Sequence, residues 1–384
     1  MDFDLSEEQS LLKDSVEKLI AQHYDFEQRK KYLQTSEGWS PDLWARYAEM
    51  GLLGLPFAEA EGGFGGGAVE TMIVMEAFGR GLVLEPYFAT VVLAGGLLRH
   101  AANPVQRAEL IPAIAGGTLR MAFAHNERQA RYDLADVTTS ARESAGAWRV
   151  TGDKSLVLAG AQADRLIVSA RVAGAPRAHD GIGLFLVDAG APGVSRRGYA
   201  LQDATRAAEI SFSDVPATPL GTPGKGFPVI ARVVDEAIAA LCAEAVGVMA
   251  AMHEATLDYL RTRKQFGRAI GQFQVLQHRA VDMLVAIEQA RSMAFFATMM
   301  ASEADASEAD ASERRRALAA AKIQIGRSGH KVGQEAIQLH GGIGMTMEYK
   351  VGHYFKRMTM IELLFGDADH HLAELAAMGG LIAG

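Results

Sequence analysis

Three segments in the C-terminal half of this 384-residue chain carry residue types able to hold a phosphorylated ligand. They are Arg263-Lys-Gln-Phe-Gly267, Gly271-Gln-Phe-Gln-Val-Leu-Gln277 and Gln338-Leu-His-Gly-Gly-Ile-Gly344, the last followed by Glu348-Tyr349. Adjacent glycines at a helix end let a backbone approach a ligand closely and expose amides to a diphosphate. Arg263 offers a planar, permanently charged fork suited to the same group. The same glycine pair could instead serve as a helix C-cap. Other motifs carry less. Gly63-Phe-Gly65-Gly-Gly-Ala68 fits the dinucleotide fingerprint in letters, but it follows Ala58-Glu59-Ala60-Glu61 in helical surroundings rather than a strand. No G-x-x-x-x-G-K-S/T, H-E-x-x-H or G-x-S-x-G occurs. His370-His371 is followed by no plausible ligand set and reads as a solvated or helix-end pair, so no metal is expected.

The elements that must position these residues follow from periodicity. Ser6-Glu7-Glu8-Gln9 opens a helix with a capping box, and Leu12, Val16, Leu19 and Ile20 form one apolar stripe. Helical patterns recur at Pro41–Met50, Val69–Arg80, Phe88–His100 and Pro104–Ala115, predicting a helical N-terminal domain over residues 1–118. From about Met121 the texture changes to short β-rich runs: Ala147–Thr151, Arg165–Arg171, Gly183–Val187 and Glu209–Phe212. They predict a small antiparallel β domain over 119–226. Long helical segments near 228–265, 272–301 and 315–341, and a shorter one near 368–379, predict a four-helix bundle over 227–384. Ser302-Glu-Ala-Asp-Ala, repeated from Ser307, reads as a solvated helix connection. The fold class expected is mostly α with one central β domain.

Composition narrows the function. Apolar residues make up 49% and charged residues 22%, the balance of a folded globular protein. With 38 Lys and Arg against 46 Asp and Glu, the net charge of −8 argues against a nucleic-acid surface. Cys242 is the single cysteine, which excludes an internal disulfide and a thiolate zinc cluster. The acidic start lacks a secretory signal, and the apolar run Ala237–Met252 is interrupted by Glu244, so a cytoplasmic protein without a membrane span is expected.

Taken in this order within a helical bundle, the three C-terminal segments resemble the FAD-binding signature of the acyl-CoA dehydrogenase family. The resemblance runs through the whole chain: Gly51-Leu-Leu-Gly-Leu through Glu61-Gly-Gly-Phe-Gly65 and Gly224-Lys-Gly-Phe227 resemble the family's N-terminal Gly-rich turn and the turn entering its bundle. It implies Arg263, Phe266, Gln274, Gln338, Gly341 and Gly342 as FAD contacts, and an oligomer (dimer or tetramer) with each diphosphate touched by the neighbouring subunit. The implied reaction is α,β-desaturation of an acyl-CoA thioester: a carboxylate takes the α-proton, the β-hydrogen leaves as hydride to the flavin, and an electron-transferring flavoprotein accepts the electrons.

The chain departs from its family where that carboxylate belongs. Counting from Gly341-Gly342, the usual Glu position holds Phe365, and the alternative location falls near Ala237, one residue after Glu236. Asp367 and Glu362 are the nearest substitutes, each equally readable as a solvated or capping carboxylate. Asn126-Glu127-Arg128 stands where the family shows T-E-P, and Leu156 and Leu158 replace the usual Trp and hydroxyl beside the flavin. These losses resemble the small subunits of two-subunit acyl-CoA dehydrogenases of the pimeloyl-CoA type, in which a sister chain can supply the base. A non-catalytic partner completing a sister subunit's FAD site is the second reading, and a flavin oxidase or monooxygenase on the same scaffold is the third.

Overall fold

The computed structural model describes residues 5–303 and 307–379. Six helices come first: α1 (Glu7–His23), α2 (Phe26–Leu33), α3 (Pro41–Glu49), α4 (Ala68–Gly81), α5 (Gly95–Ala101) and α6 (Pro104–Ala115). Strands β1 (Met121–Ala124), β2 (Ser140–Ser144), β3 (Ala147–Leu158), β4 (Arg165–Arg171), β5 (Ile182–Asp188), β6 (Val194–Ala200) and β7 (Arg206–Leu220) follow. Then come α7 (Phe227–Thr262), the ribbon β8 (Lys264–Gln265) and β9 (Arg268–Ala269), α8 (Gln274–Ser302), α9 (Glu308–His340), α10 (Lys350–Leu363) and α11 (Ala368–Met378). The order helical, β-rich, helical is the one expected. Two compact units form: one from the residues up to 31, 68–83 and those from 238 on, the other from Tyr32–Gly67 and Leu84–Ala237.

Local chemistry starts the helices where expected. Ser6 accepts from the Gln9 amide at 3.2 Å while the Gln9 side chain accepts from the Ser6 amide at 3.0 Å, a full capping box. Asn103 and Gln106 repeat the device at α6, with Pro104 in the first turn. The segment expected as one helix over Phe88–His100 is instead a buried π-helix, Phe88–Ala94, running into α5. Within it, the Thr90 hydroxyl donates to the Met121 carbonyl at 3.0 Å and accepts from the Met121 amide at 3.3 Å, binding the π-turn to β1.

In the second unit, β3 pairs with β2 and β7, β5 with β4 and β7, and β6 with β7, all antiparallel. The antiparallel expectation needs one correction. β1 runs parallel to β4 from Met121↔Arg165 to Ala124↔Val168, and Ser140↔Arg171 adds a parallel link between β2 and β4. That link closes β4, β2, β3, β7 and β5 into a ring around Val150, Leu166, Val168, Phe185, Val187 and Ile210. Closure leaves few free edges.

In the first unit, α7 is the buried axis. A Cβ on Gly79 would lie 2.1 Å from the Glu244 carbonyl oxygen, and one on Gly247 would lie 1.9 Å from that of Glu76. α4 and α7 therefore cross backbone to backbone, an approach that only glycine permits. Glu244, the charge interrupting the apolar run, is neutralised in place by Arg357 of α10 through contacts of 2.6 and 2.7 Å. Apolar residues on more than one face over 230–252 would leave surface for another subunit if they stayed exposed, but this chain buries them: Leu241, Val248, Met249 and Met252 are each 0% exposed. The exposed apolar stripe is on α8, at Val281, Leu284 and Val285. α9 begins at Glu308 rather than near 315, because Ser307 caps it by accepting from the Asp310 amide. The second acidic repeat is thus helical, while residues 304–306 lie outside the described residues. Among the described residues no helix is long and apolar enough to cross a membrane.

Candidate functional site

The expected FAD contacts gather at one end of the helical unit. At the end of α7 the Arg263 amide donates to Tyr259 O, and Arg263 O accepts from Ile270, closing the β8–β9 ribbon. Its tip is Phe266 at φ 53° and Gly267 at φ 79°, a pair of left-handed residues of the type I′ kind. Holding a phenylalanine there costs about 1–2 kcal/mol, yet its ring is 89% exposed and touches Phe273 only edge-on at 6.1 Å. Such an outlier points to a purpose outside the isolated fold. Gln274 is the first residue of α8 and faces solvent.

At the end of α9, Gln338 is exposed and Gly341 adopts φ 63°, ψ −143°, essentially closed to other residues. No atom lies within 4 Å of where a Cβ on Gly341 or Gly342 would stand. Three contacts join these segments. Tyr259 stacks on His340 at 4.6 Å, His340 packs on Tyr349 at 4.9 Å, and Arg279 of α8 donates to Glu335 of α9 at 2.5 Å. An open backbone cradle, an exposed guanidinium and an exposed aromatic at one helical corner fit the diphosphate half of a dinucleotide.

The base turn lies at the other end of α9. Phe365 sits at φ 58° and Gly366 at φ 110°, between α10 and α11. Both are held by Lys322 of α9, a residue that motif reading passed over. Its ammonium donates to the carbonyls of Ile361 and Glu362 at 2.8 Å and of Leu364 and Gly366 at 2.9 Å, with the side chain 1% exposed. One cation thus satisfies the orphan carbonyls of α10 and fixes the turn. Burial pushes Lys322 down to about 8 against the pull of nearby Cys242, Glu362 and Asp367.

Of the two substitute carboxylates, Asp367 has a structural occupation. Asp367 caps α11 by accepting from the His370 amide at 2.9 Å. Glu362 faces Gly326 of α9, its Oε1 3.3 Å from where a Cβ on that glycine would stand. Burial raises its pKa, with the charges of Asp367 and Asp369 adding to the rise and those of His330 and Lys322 opposing it. At about 1.5 Å per residue, Lys322 and Gly341 are roughly 28 Å apart along α9. That is much longer than the ribityl chain separating a flavin ring from its diphosphate, so the structure does not bring Phe365, Asp367 or Glu362 together with the Arg263 corner.

Glu236, in the other unit, is engaged by two guanidinium groups and an imidazole: Arg99 at 2.7 Å, Arg232 at 3.0 Å and His100 at 2.8 Å. Burial would raise its pKa, but the hydrogen bond from His100 and the charge of Arg99 outweigh it and hold the carboxyl at about 2. A carboxylate so stabilised is a poor acceptor of a carbon-bound proton. In the barrel, Glu127 pairs with Lys154 at 2.8 Å, the two side chains 2% and 0% exposed. Lys154 also donates to His125 O and Ser169 Oγ. Desolvation would raise Glu127, and the Lys154 ammonium overrides it to hold the carboxyl at about 2. Leu156, at φ 51°, lies on the irregular stretch between Lys154 and Val157 where β3 shifts register against β7.

These two carboxylates set an acid limit. Their folded pKa values lie below the ordinary 4.5, so the stability they contribute is complete above pH 4.5 and is lost as pH falls toward about 2. Melting followed by circular dichroism should show a falling midpoint through that window, and the fall should be smaller in Glu236→Gln. A midpoint independent of pH between 4.5 and 2 would contradict the ion-pair account.

The comparisons agree with this architecture in every segment. Models of the acyl-CoA dehydrogenase N-terminal, middle and C-terminal domains match residues 6–118, 122–215 and 224–379. A solved structure of a variant of the Tcur3481-Tcur3483 steroid ACAD is 30% identical, covers 97% of each chain and superposes with a TM-score of 0.86. The probable acyl-CoA dehydrogenase YngJ of Bacillus subtilis is 28% identical over 381 residues, 96% of this chain and 97% of its own. The short-chain specific acyl-CoA dehydrogenase of Clostridium acetobutylicum is 26% identical over 380 residues, covering 96% and 97%. The chain belongs to the acyl-CoA dehydrogenase family. It is of the FAD-dependent oxidoreductase class.

Proposed function

We propose that this chain is the base-deficient subunit of a heteromeric, FAD-dependent acyl-CoA dehydrogenase, and that a sister chain provides the carboxylate that takes the α-proton. The observation that carries the reading is the turn at Phe365. Its backbone is locked by Lys322 and it presents an aromatic ring, while Asp367 beside it is committed to capping α11. FAD supplies acceptance of the hydride leaving the β-carbon. This chain's own residues bind and orient: Arg263 neutralises diphosphate charge, Gly341 and Gly342 admit its oxygens to the backbone, and Phe266, Gln274 and Gln338 border it.

The roughly 28 Å along α9 between the glycine pair and the Phe365 turn supports assignment of the two to different FAD molecules. That division requires assembly, as a dimer, tetramer or heteromer with a sister subunit, and the exposed stripe Val281, Leu284 and Val285 offers apolar surface for it. The two-part name of the steroid relative supports a heteromer and adds a steroid acyl-CoA to the straight-chain thioesters worth testing. An electron-transferring flavoprotein is the acceptor this reading implies. A non-catalytic role completing the sister's FAD site is the second reading, favoured by the aromatic ring at 365 and the capping role of Asp367.

The test is co-purification with a Glu-bearing sister chain, followed by flavin bleaching under acyl-CoA. The heteromer should bleach quickly and the lone chain slowly, while fast bleaching by the lone chain would defeat the proposal. Arg263→Ala should retain FAD at least about tenfold less tightly, the loss of one charge-assisted contact worth about 1.5–3 kcal/mol. Equal flavin retention on gel filtration would remove Arg263 from the site.

A further inference from the structure

Sequence alone leaves His370-His371 without a third ligand, and the fold supplies one. Glu374 lies one turn further along α11, facing both imidazoles. His371 Nδ1 is 3.3 Å and His370 Nε2 is 3.8 Å from Glu374 Oε2. The three ligand atoms all lie within 4.8 Å of one another. His371 is 3% exposed; its Nδ1 meets the Glu374 carboxylate, a contact that holds Glu374 below its ordinary range, and its Nε2 completes no hydrogen bond. A buried polar atom left in that condition costs about 1–3 kcal/mol. We infer that His370, His371 and Glu374 form a binding site for one zinc ion, or a divalent metal of similar softness.

The chemistry suits the ion. Zinc binds imidazole nitrogen at about 2.0–2.1 Å and carboxylate oxygen at about 2.0–2.2 Å in tetrahedral geometry, which places neighbouring ligand atoms roughly 3.4 Å apart. The two contacts to Glu374 already straddle that spacing, so a small rotation of His370 completes three corners and leaves the fourth to water. Glu374 stands at i+3 from His371 and i+4 from His370, so it meets each imidazole along the helix although the two histidines are adjacent. The surroundings carry surplus negative charge: Asp367 and Asp369 stand in the first turn with Glu362 nearby, against Arg315 and Lys322. Gly366 admits the rings, since a Cβ there would sit 2.5 Å from His370 Cδ2 and 2.7 Å from His371 Nε2. All three ligands stand on α11, so a bound ion would brace the first turns of that helix.

The experiment uses untagged, FAD-loaded protein stripped with a chelator and titrated with Co²⁺, whose tetrahedral complexes absorb in the red, beyond the flavin bands. One equivalent per chain should develop such a band, and one equivalent of Zn²⁺ should erase it. Glu374→Gln and His370→Asn should each weaken binding at least about tenfold with the melting temperature of the metal-free protein little changed. They are preferred over His371→Asn, whose buried ring also packs the fold. His179→Asn should bind like wild type. A band absent from wild-type protein, or one of equal strength in Glu374→Gln and His370→Asn, would overturn the site and leave a simple His–Glu contact.

Discussion

Phe365→Glu should convert the isolated, FAD-loaded chain into a faster dehydrogenase. Single-turnover flavin bleaching by an accepted acyl-CoA should rise about 10²- to 10⁴-fold over wild type, the range that a positioned general base contributes. The substitution is conservative where it matters for folding. Phe365 already carries a Cβ in the left-handed region at φ 58°, so glutamate inherits a backbone strain the structure has absorbed. The four carbonyls held by Lys322 keep the turn in place whichever side chain stands there. Phe365→Gln separates proton abstraction from polarity, since the amide matches glutamate in size and accepts no proton; it should stay slow. Equal rates for the glutamate and glutamine variants, with FAD bound in both, would show that position 365 is not where this scaffold takes the α-proton.

Lys322→Met should be the most destabilising single change in the helical bundle. Methionine matches the aliphatic stem and restores no donor, so carbonyls of Ile361, Glu362, Leu364 and Gly366 lose their common partner in a dry interior. Each unsatisfied buried group costs about 1–3 kcal/mol, and partial rescue by water leaves an expected loss of about 3–5 kcal/mol. Denaturant unfolding measures it directly. A loss below about 1 kcal/mol would mean that the turn closes without the lysine. Burial of the stem alone cannot account for the expected figure, because methionine preserves that burial.

Much of this was legible from local pattern. The cap at Ser6 and the boundaries Pro104–Ala115 and Arg165–Arg171 follow from residues within a few positions of one another, and the structure places them as read. What escaped depends on partners distant in sequence. β1 is a four-residue run and β6 a largely exposed one, so their strand character comes from pairing with β4 and β7, and α10 follows a glycine-rich turn that masked its onset. Lys322 looks like an ordinary helix-favouring residue among alanines until the turn from Ile361 to Gly366 folds around it. Glu236, beside the alternative base position, is disqualified by Arg99 and His100, more than a hundred residues away.

The duplicated Ser-Glu-Ala-Asp-Ala segment meets α9 at that helix's capped end, and this location decides what such a duplication does to the molecule. Inserted within a continuous helix, five residues at about 100° each would rotate everything downstream by about 140° and swing the buried face outward. At Ser307 the added unit instead lengthens the helix away from its packed portion. It brings its own capping hydroxyl and the acidic first turn of Glu308 and Asp310. Lys322, Gly326 and Gly341 keep their angular phase whatever number of copies precedes them. The position of the repeat thus leaves the phase of the packed part of α9 independent of the length of its capped end.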